Sequence, residues 1–536
     1  MWTRGIGAGL GAALSLCLVE DVWACGCVVT TDVVTPTVQS GERIVFGVKD
    51  GKVTAHIQIQ YQGAAEEFAW LVPVPAVPEV RVGTDELFNI LEVETSPTYT
   101  LTTFTPACGS GGGGGGGGFG CSGSEDSALL SRADNGGDTK VSQTPDVLVL
   151  ASSAGPYDYA VLRADDRQEM LDWLNNNAYV VPGGTNEAVA PYIRPGAYFL
   201  ALKLKAGEST GSIRPIILEY QSDFPMIPLI LTSVAAVPDM GILVWIFGEH
   251  RAVPRNFHHV VIDDATLDWS AQGVGYAAVL SEAIDQAPDH HAFVTEFAGR
   301  ADQLNGRLRL PFQDEDRANL LAQSNRDVFL EMLRRRTDWP TVAPILLEFY
   351  PYPAELAARG VTPADYLAKL DEFVAETTET VPFDPEPIVD RIWATLVTPL
   401  VEANQLFTQH ATVTRLYTVL SPEEMTADPV FAFNADLPHV PRAHDATLNR
   451  DCAGGEQLLL TDGRVVERRQ SLVRARVEIL REEGPPEVLQ QNVTEDAPQE
   501  GGGCAHTSLA GAQTLRAPLL LGGLLCLRTR RRRRAP

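Results

Sequence analysis

The sequence is poor in cysteine, in positive charge over most of its length, and in long uninterrupted apolar runs. Only eight cysteines stand among 536 residues, which excludes a small domain held together mainly by disulfides. The formal net charge of -27 understates the acidity of the part that folds. Residues 504–536 hold seven arginines (Arg516, Arg528 and Arg530 to Arg534) and no acid, and the first 24 residues sum to -1, so residues 25–503 carry -33. Such a body repels phosphate backbones and anionic lipid, so no nucleic-acid partner is expected. Its acidity suits the solubility of an exported protein, with divalent-cation binding as the sharper alternative. Motifs of hydrolytic metal chemistry are missing too, since His-Glu-x-x-His does not occur. The run of glycines at 111–118 has no Gly-Lys-Ser/Thr after it and is a spacer, not a phosphate loop. No catalytic residue is assigned.

What is present describes a globular protein of two or three domains, with 45% hydrophobic and 21% charged residues. Arg4, followed by the apolar, small-residue-rich stretch Ile6 to Val19, reads as a secretory signal peptide over residues 1–24. Cleavage by signal peptidase after Ala24 would make Cys25 the mature N-terminus. A lipoprotein signal also ends before a cysteine, but Trp23 fits ordinary cleavage better. In an oxidising compartment Cys108 and Cys121, which bracket the glycine run, are natural disulfide partners, and Cys27 with Cys452 would tie the start of the fold to its end.

Along the chain the expected class is α+β: a β-rich N-terminal region, a helical middle and returning C-terminal strands. Ile44, Phe46 and Val48 alternate, Asp50-Gly51 supplies a turn, and Val53, Ala55 and Ile57 alternate again. The prolines of Val72 to Pro78 confine that segment to an edge or a connection. Thr84 opens a short helix. Strands are expected at Val147 to Ala151, Tyr198 to Lys205, Ile213 to Tyr220, Ile227 to Ala236, Ile242 to Phe247 and Val260 to Ile262, with a helix over Asp165 to Asn175. Helical spacing marks Tyr276 to Ile284, Ala292 to Ala298, Ala318 to Leu333, Pro363 to Glu376 and Pro387 to Phe407. The resulting regions are 25–105, a flexible glycine-rich insertion at 106–145, 146–275, 276–410, 411–480, a linker at 481–503 and a tail at 504–536.

In the tail, Gly501-Gly502-Gly503-Cys504 precedes an apolar stretch, Ala517 to Leu527, which is short for a bilayer, and then the arginine cluster. A plain single-pass anchor is one reading. The pattern also resembles the myxobacterial C-terminal sorting tail (MYXO-CTERM). That resemblance implies processing near Cys504 by an intramembrane sorting protease and display on the outer cell surface, with a membrane hold through the tail or a lipid on Cys504. The body resembles the bacterial family called domain of unknown function 2330. The resembling strings are Cys25-Gly26-Cys27, Glu42 to Val48, Thr54 to Val80, and residues 196–205, 213–220, 244–263 and 414–438. The resemblance implies an exported β-rich protein and transfers no catalytic residues.

Candidate chemistry is sparse. On a strand His259 and Asp263 would face one side and could share a metal ligand position. His290 and His291 with Glu296 form a second cluster. Glu423, Glu424, Asp428, Asp436, His439, His444 and Asp445 make an oxygen-rich segment, so calcium or another divalent cation is the only cofactor suggested. Trp70, Trp245 and Trp269 are expected in the core. The functional expectation is a non-enzymatic surface protein for adhesion, envelope organisation or ligand capture; the alternative is an extracellular hydrolase or metal-dependent enzyme.

Overall fold

The alternating segments 44–48 and 53–57 form a hairpin of β1 (Val38–Lys49) and β2 (Lys52–Gln62). Its turn residues Asp50 and Gly51 have φ of 54° and 71°, the left-handed pair whose twist suits the strands on either side. The computed structural model describes residues 38–62, 68–106, 147–177, 179, 184–206, 213–269, 275–377, 383–466 and 473–491. Ala24, Cys25, Cys27, Cys108, Cys121, Cys504 and the whole tail lie outside them. Cys452 is disulfide-bonded.

After the hairpin come β3 (Ala69–Val74), β4 (Glu79–Val82), α1 (Asp85–Thr95) and β5 (Thr98–Phe104). Then follow β6 (Leu148–Ala154), β7 (Tyr157–Arg163), α2 (Arg167–Asn176), α3 (Thr185–Val189), β8 (Tyr198–Leu204) and β9 (Ile216–Gln221). Next are α4 (Leu229–Thr232), β10 (Ala236–Gly248), β11 (Arg251–Pro254), β12 (His258–Ile262), α5 (Tyr276–Ile284) and β13 (Ala292–Arg300). The helical stretch contains α6 (Asp314–Leu321), α7 (Arg326–Arg334), α8 (Trp339–Leu346), α9 (Ala354–Ala358), α10 (Pro363–Ala368), α11 (Leu370–Thr377), α12 (Glu386–Ile392) and α13 (Thr398–Gln409). Strands return as β14 (Thr412–Leu420), β15 (Phe431–Asn434), β16 (Ala443–Arg450), β17 (Glu456–Leu460), β18 (Val465–Val466), β19 (Ala475–Ile479) and β20 (Glu487–Gln491). The class is α+β, with the expected order of regions.

Ten strands form one sheet in the order β20-β19-β12-β13-β14-β10-β1-β2-β9-β4. It is antiparallel except for the pairs β1–β10 and β12–β13. Period-two alternation gives it two buried faces. On one, Ile44, Phe46, Val53, Ala55, Ile242, Val244 and Leu416 pack against α5 and against a second sheet, of order β3-β8-β7-β6. On the other, Val45, Leu243, Trp245, Phe247 and Val413 pack against α1 and α13. The second sheet has its own outer cover, where Met170, Leu171, Trp173 and Leu174 of α2 lie on Ala69, Leu71, Leu162 and Phe199. The helices between Phe312 and Val397 gather round a core of their own. The regions expected separately at 25–105, 146–275 and 411–480 all contribute strands to the one large sheet.

Several local expectations hold for their stated reasons. Thr84 caps α1 by accepting from the Glu86 N–H, and the helix expected over Asp165 to Asn175 is α2. β3 does lie on a sheet edge, with Pro73 in register opposite Phe199. Trp70, Trp245 and Trp269 are buried. Others do not hold. Residues 292–298 are the start of strand β13, not a helix; most of that strand is buried, so the polar alternation that marks a one-sided strand is missing. Ile227 to Ala236 is not one strand. Pro228 leads into the single turn of α4, whose Ile230 N–H is capped by the Asp428 carboxylate, and β10 begins only at Ala236. Residues 318–333 are two helices, because Asn325 caps a new start by accepting from Asp327 and Val328. Within the expected linker 481–503, β20 pairs with β19 at the sheet edge.

Candidate functional site

His259 and Asp263 occupy neighbouring places in the core but serve different partners. The imidazole is buried, and its Nε2 accepts from the Thr295 backbone N–H at 3.3 Å and from the Thr295 hydroxyl at 3.0 Å. Nδ1 therefore carries the proton and donates to Glu478 Oε2 at 3.2 Å. Burial holds His259 below its ordinary pKa. The chain Thr–His–Glu has the connectivity of a nucleophile, base and orienting acid. Here all three groups are buried, and Arg251 Nη2 also donates to the Thr295 hydroxyl at 3.1 Å. Asp263 meanwhile takes Arg464 through both oxygens, at 2.6 and 3.1 Å, and accepts from the Ala265 N–H. The two residues are not brought to a shared ligand.

The second cluster is rearranged. Glu296 turns into the sheet to meet Arg415 at 2.6 Å. His290 instead meets Glu424 and Asp285, and one ligand atom of each lies within 4.8 Å of the others. Glu424 is fixed by its own backbone surroundings: its other oxygen accepts from the Ser421 N–H, and His291 donates to its carbonyl oxygen at 2.8 Å. One imidazole and two carboxylates are a donor set that could hold a divalent cation. His290 and Glu424 also hydrogen-bond each other directly, and that bond lifts the His290 pKa above its ordinary value.

The cleft with unsatisfied polar groups lies elsewhere, between the large sheet and α13, with a volume of about 660 Å³. Its floor is Gly47 and Lys49 of β1, Lys52, Thr54 and His56 of β2, Arg81 of β4 and Glu219 of β9; its wall is Glu402, Gln405, Leu406, Gln409 and His410. Gly47 sets the spacing. A Cβ there would stand 2.6 Å from Leu406 Cδ2 and 3.2 Å from His410 Cε1, so only glycine lets α13 come this close. The charged floor is largely self-neutralised. Arg81 reaches Glu79 at 2.6 Å, Glu219 at 3.2 Å and Glu402 at 3.3 Å, and Lys52 reaches Glu219 at 2.8 Å. The hydrogen bond from Lys52 helps hold the Glu219 carboxyl below its usual range, whereas burial raises that of Glu402.

Two histidines of the cleft are left with unpaired nitrogens. His56 is 2% exposed and its Nδ1 has no hydrogen-bond partner. Burial, helped by the Arg81 charge, pushes its pKa down to about 3. His410 Nδ1 lies 3.0 Å from the Leu406 carbonyl and donates to it, so Nε2 keeps its lone pair; that atom is buried and unpartnered. Burial lowers the His410 pKa as well. Both rings are thus neutral at pH 7. Each buried unpaired nitrogen costs about 1–3 kcal/mol, a cost that a bound molecule with suitable hydrogen-bonding groups would offset.

The profile of domain of unknown function 2330, described as an uncharacterized protein conserved in bacteria, matches residues 20–383. The chain belongs to that family. No curated protein and no solved structure matches it. In this family member the floor of the cleft, with His56, Arg81 and Glu219, falls inside the matched stretch. The wall on α13, and the string 414–438 that also resembles the family, fall beyond it. The family description carries no activity, so the chemistry rests on the geometry.

Sequence patterns gave partial notice of these groups. His56 sits on the polar face of an alternating strand, opposite Val53, Ala55 and Ile57, and that face reads as solvent until α13 is known to cover it. Gly207-Glu208-Ser209-Thr210-Gly211 carries the Gly-x-Ser-x-Gly spacing of a nucleophile elbow. Those residues lie outside the described ones. The elements flanking them are the strands β8 and β9, not the strand and helix that such an elbow joins.

Proposed function

We propose that this protein is exported, is held at the outer surface of the cell envelope through its C-terminal tail, and acts there as a non-enzymatic binding protein whose site is the cleft beside α13. The observation that carries the binding reading is the pair of neutral imidazoles, His56 and His410, that line one open cleft and each hold a buried nitrogen without a hydrogen-bond partner. The address rests on the N-terminal signal pattern and on Cys504 followed by a short apolar stretch and arginines. Signal peptidase and a C-terminal sorting protease are the partners this address requires. Among the described residues no helix is long and apolar enough to cross a membrane.

Binding is tested by thermal melting of the full chain against a panel of small polar compounds. At least one should raise the midpoint by roughly 2 °C or more at saturation. The same compound should not do so for Gln409→Trp, which fills the cleft from an exposed position on α13. A panel without effect, or an equal effect in the variant, would refute the cleft as the site. Display is tested by mass spectrometry of protein recovered from the cell surface. The expected product starts at Cys25 and lacks the residues after Cys504; an intact arginine tail on the exposed form would restore the plain membrane anchor.

A further inference from the structure

We infer that the cleft takes a small zwitterion carrying a primary ammonium and a carboxylate, of the α-amino acid class. This inference rests on the cleft being a binding site, and it adds the chemistry of what is bound. Three observations carry it: what the buried end of the cleft offers, what its rim offers, and what its lining omits.

The buried end offers acceptors. His410 Nε2 holds a free lone pair because Nδ1 is committed to the Leu406 carbonyl. His56 brings a second neutral imidazole, almost wholly buried and unpartnered at Nδ1, which accepts or donates there according to its tautomer. Glu402 is beside them on α13, partly buried and paired, among the described residues, with the single cation Arg81. The lining holds three carboxylates, Asp50, Glu219 and Glu402, and three cations, Lys49, Lys52 and Arg81, of which Lys52 and Arg81 are committed to Glu219 and Glu402. An N–H donor with positive charge meets all of these needs together. The rim offers the opposite. Lys49 is exposed and lines the cleft, and it makes no ion pair among the described residues. A carboxylate on the same ligand would find its partner there.

Other ligand chemistries fit less well. A quaternary ammonium is held by aromatic faces, and none of the lining side chains is Phe, Tyr or Trp. A simple anion would face Asp50, Glu219 and Glu402, with Arg81 and Lys52 already neutralised. A polyamine would bring a second ammonium against Lys49, which makes no ion pair among the described residues. A metal ion needs several converging ligand atoms, and among the described residues the His, Asp and Glu groups that converge are Asp285, His290 and Glu424, away from the cleft. The volume of about 660 Å³ leaves room for a side chain or a second residue beyond the zwitterionic end.

Isothermal titration of the full chain tests this with α-amino acids, dipeptides, the N-trimethyl betaines of the same acids, and the corresponding amines lacking the carboxylate. The betaine keeps both charges and removes only the N–H donors. An amino acid or dipeptide is expected to bind, with its betaine weaker by about tenfold or more and the amine weaker by a similar factor. The two zwitterion sources are separated by which of them binds more tightly. His410→Phe, which keeps a ring against Phe247, should lose about tenfold for the amino acid, and Lys49→Met should lose it for the amino acid but not for the amine. A betaine that binds as tightly as its parent acid overturns the primary ammonium, an amine that does so overturns the carboxylate, and unchanged affinity in both variants overturns the whole inference. Binding of some other class that is lost in Gln409→Trp keeps the cleft and overturns only the chemistry; no binding by any compound overturns both.

Discussion

Replacing Arg415 with methionine is expected to lower the stability of the protein by about 3–5 kcal/mol, because it strands a carboxylate inside the sheet. Arg415 of β14 and Glu296 of β13 are both buried, with Nε and Oε2 2.6 Å apart. The guanidinium also donates to Ser96 Oγ at 3.0 Å and to Glu92 Oε1 at 3.3 Å, and lies 5.3 Å from the centre of the Trp245 ring. The indole N–H of Trp245 in turn donates to Thr95 Oγ1 at 2.8 Å. One cation thereby ties β13, β14, β10 and the C-terminal end of α1 together. Burial raises the Glu296 pKa, and Arg415 is the main opposing influence. Without the arginine, Glu296 must take up a proton or remain charged in an apolar setting. The double variant Arg415→Met with Glu296→Leu should recover much of the loss, since replacing both partners of a buried pair is often close to neutral. Urea denaturation of the single and double variants measures this; a single variant within about 1 kcal/mol of the native chain would show that the pair is dispensable.

The second large effect is expected at Glu42, and it depends on pH. Glu42 shares its face of β1 with Ile44 and Phe46, so its carboxyl points into the main apolar core; it is 4% exposed and its Oε2 has no hydrogen-bond partner. Burial alone pushes its pKa up to about 7, from an ordinary 4.5. A folded-state pKa raised above the unfolded one contributes stability at low pH and loses it on the way up. Below pH 4.5 the group is protonated in both states. Between 4.5 and about 7 the unfolded chain ionises while the folded chain keeps its proton, so stability falls. Above 7 the loss levels off at about 3 kcal/mol. Glu42→Gln should therefore match the native chain near pH 4 and exceed it by about 3 kcal/mol near pH 8. The difference between the two urea midpoint curves isolates this residue from every other titrating group, and parallel curves would contradict it.

How far the fold could be read from the sequence depended on where each side chain's partners lie. The β1–β2 hairpin, the Thr84 cap and α5 were legible because turn, cap and period are all local. β13 was not, because burial of most of its residues removed the alternation that separates a strand from a helix. Glu42 was equally hidden: it continues the alternation of Ile44 and Phe46, and only its depth in the sheet makes it unusual. The candidate site was the least legible part. Asp263 meets Arg464, His290 meets Glu424, Glu296 meets Arg415, and Gly47 makes room for His410, in every case across more than a hundred residues of chain. The histidine-rich and acid-rich segments are two separate clusters in the sequence, and folding joins one member of each, His290 and Glu424.

The position of β14 sets a limit on where this chain can be cut. It lies between β10 and β13 and bonds to both along most of its length, yet it follows the stretch that matches the family profile, which stops at residue 383. A fragment ending there would leave two apolar strands with bare hydrogen-bonding edges facing an empty slot, a template for pairing with other chains. The same holds during synthesis. Until residue 420 has been made the middle of the sheet is unfinished, and the long wait between β10 and β14 is a period of exposure to misassembly. The recognisable family segment is therefore not a self-sufficient folding unit, and expression of the body needs the returning strands as well.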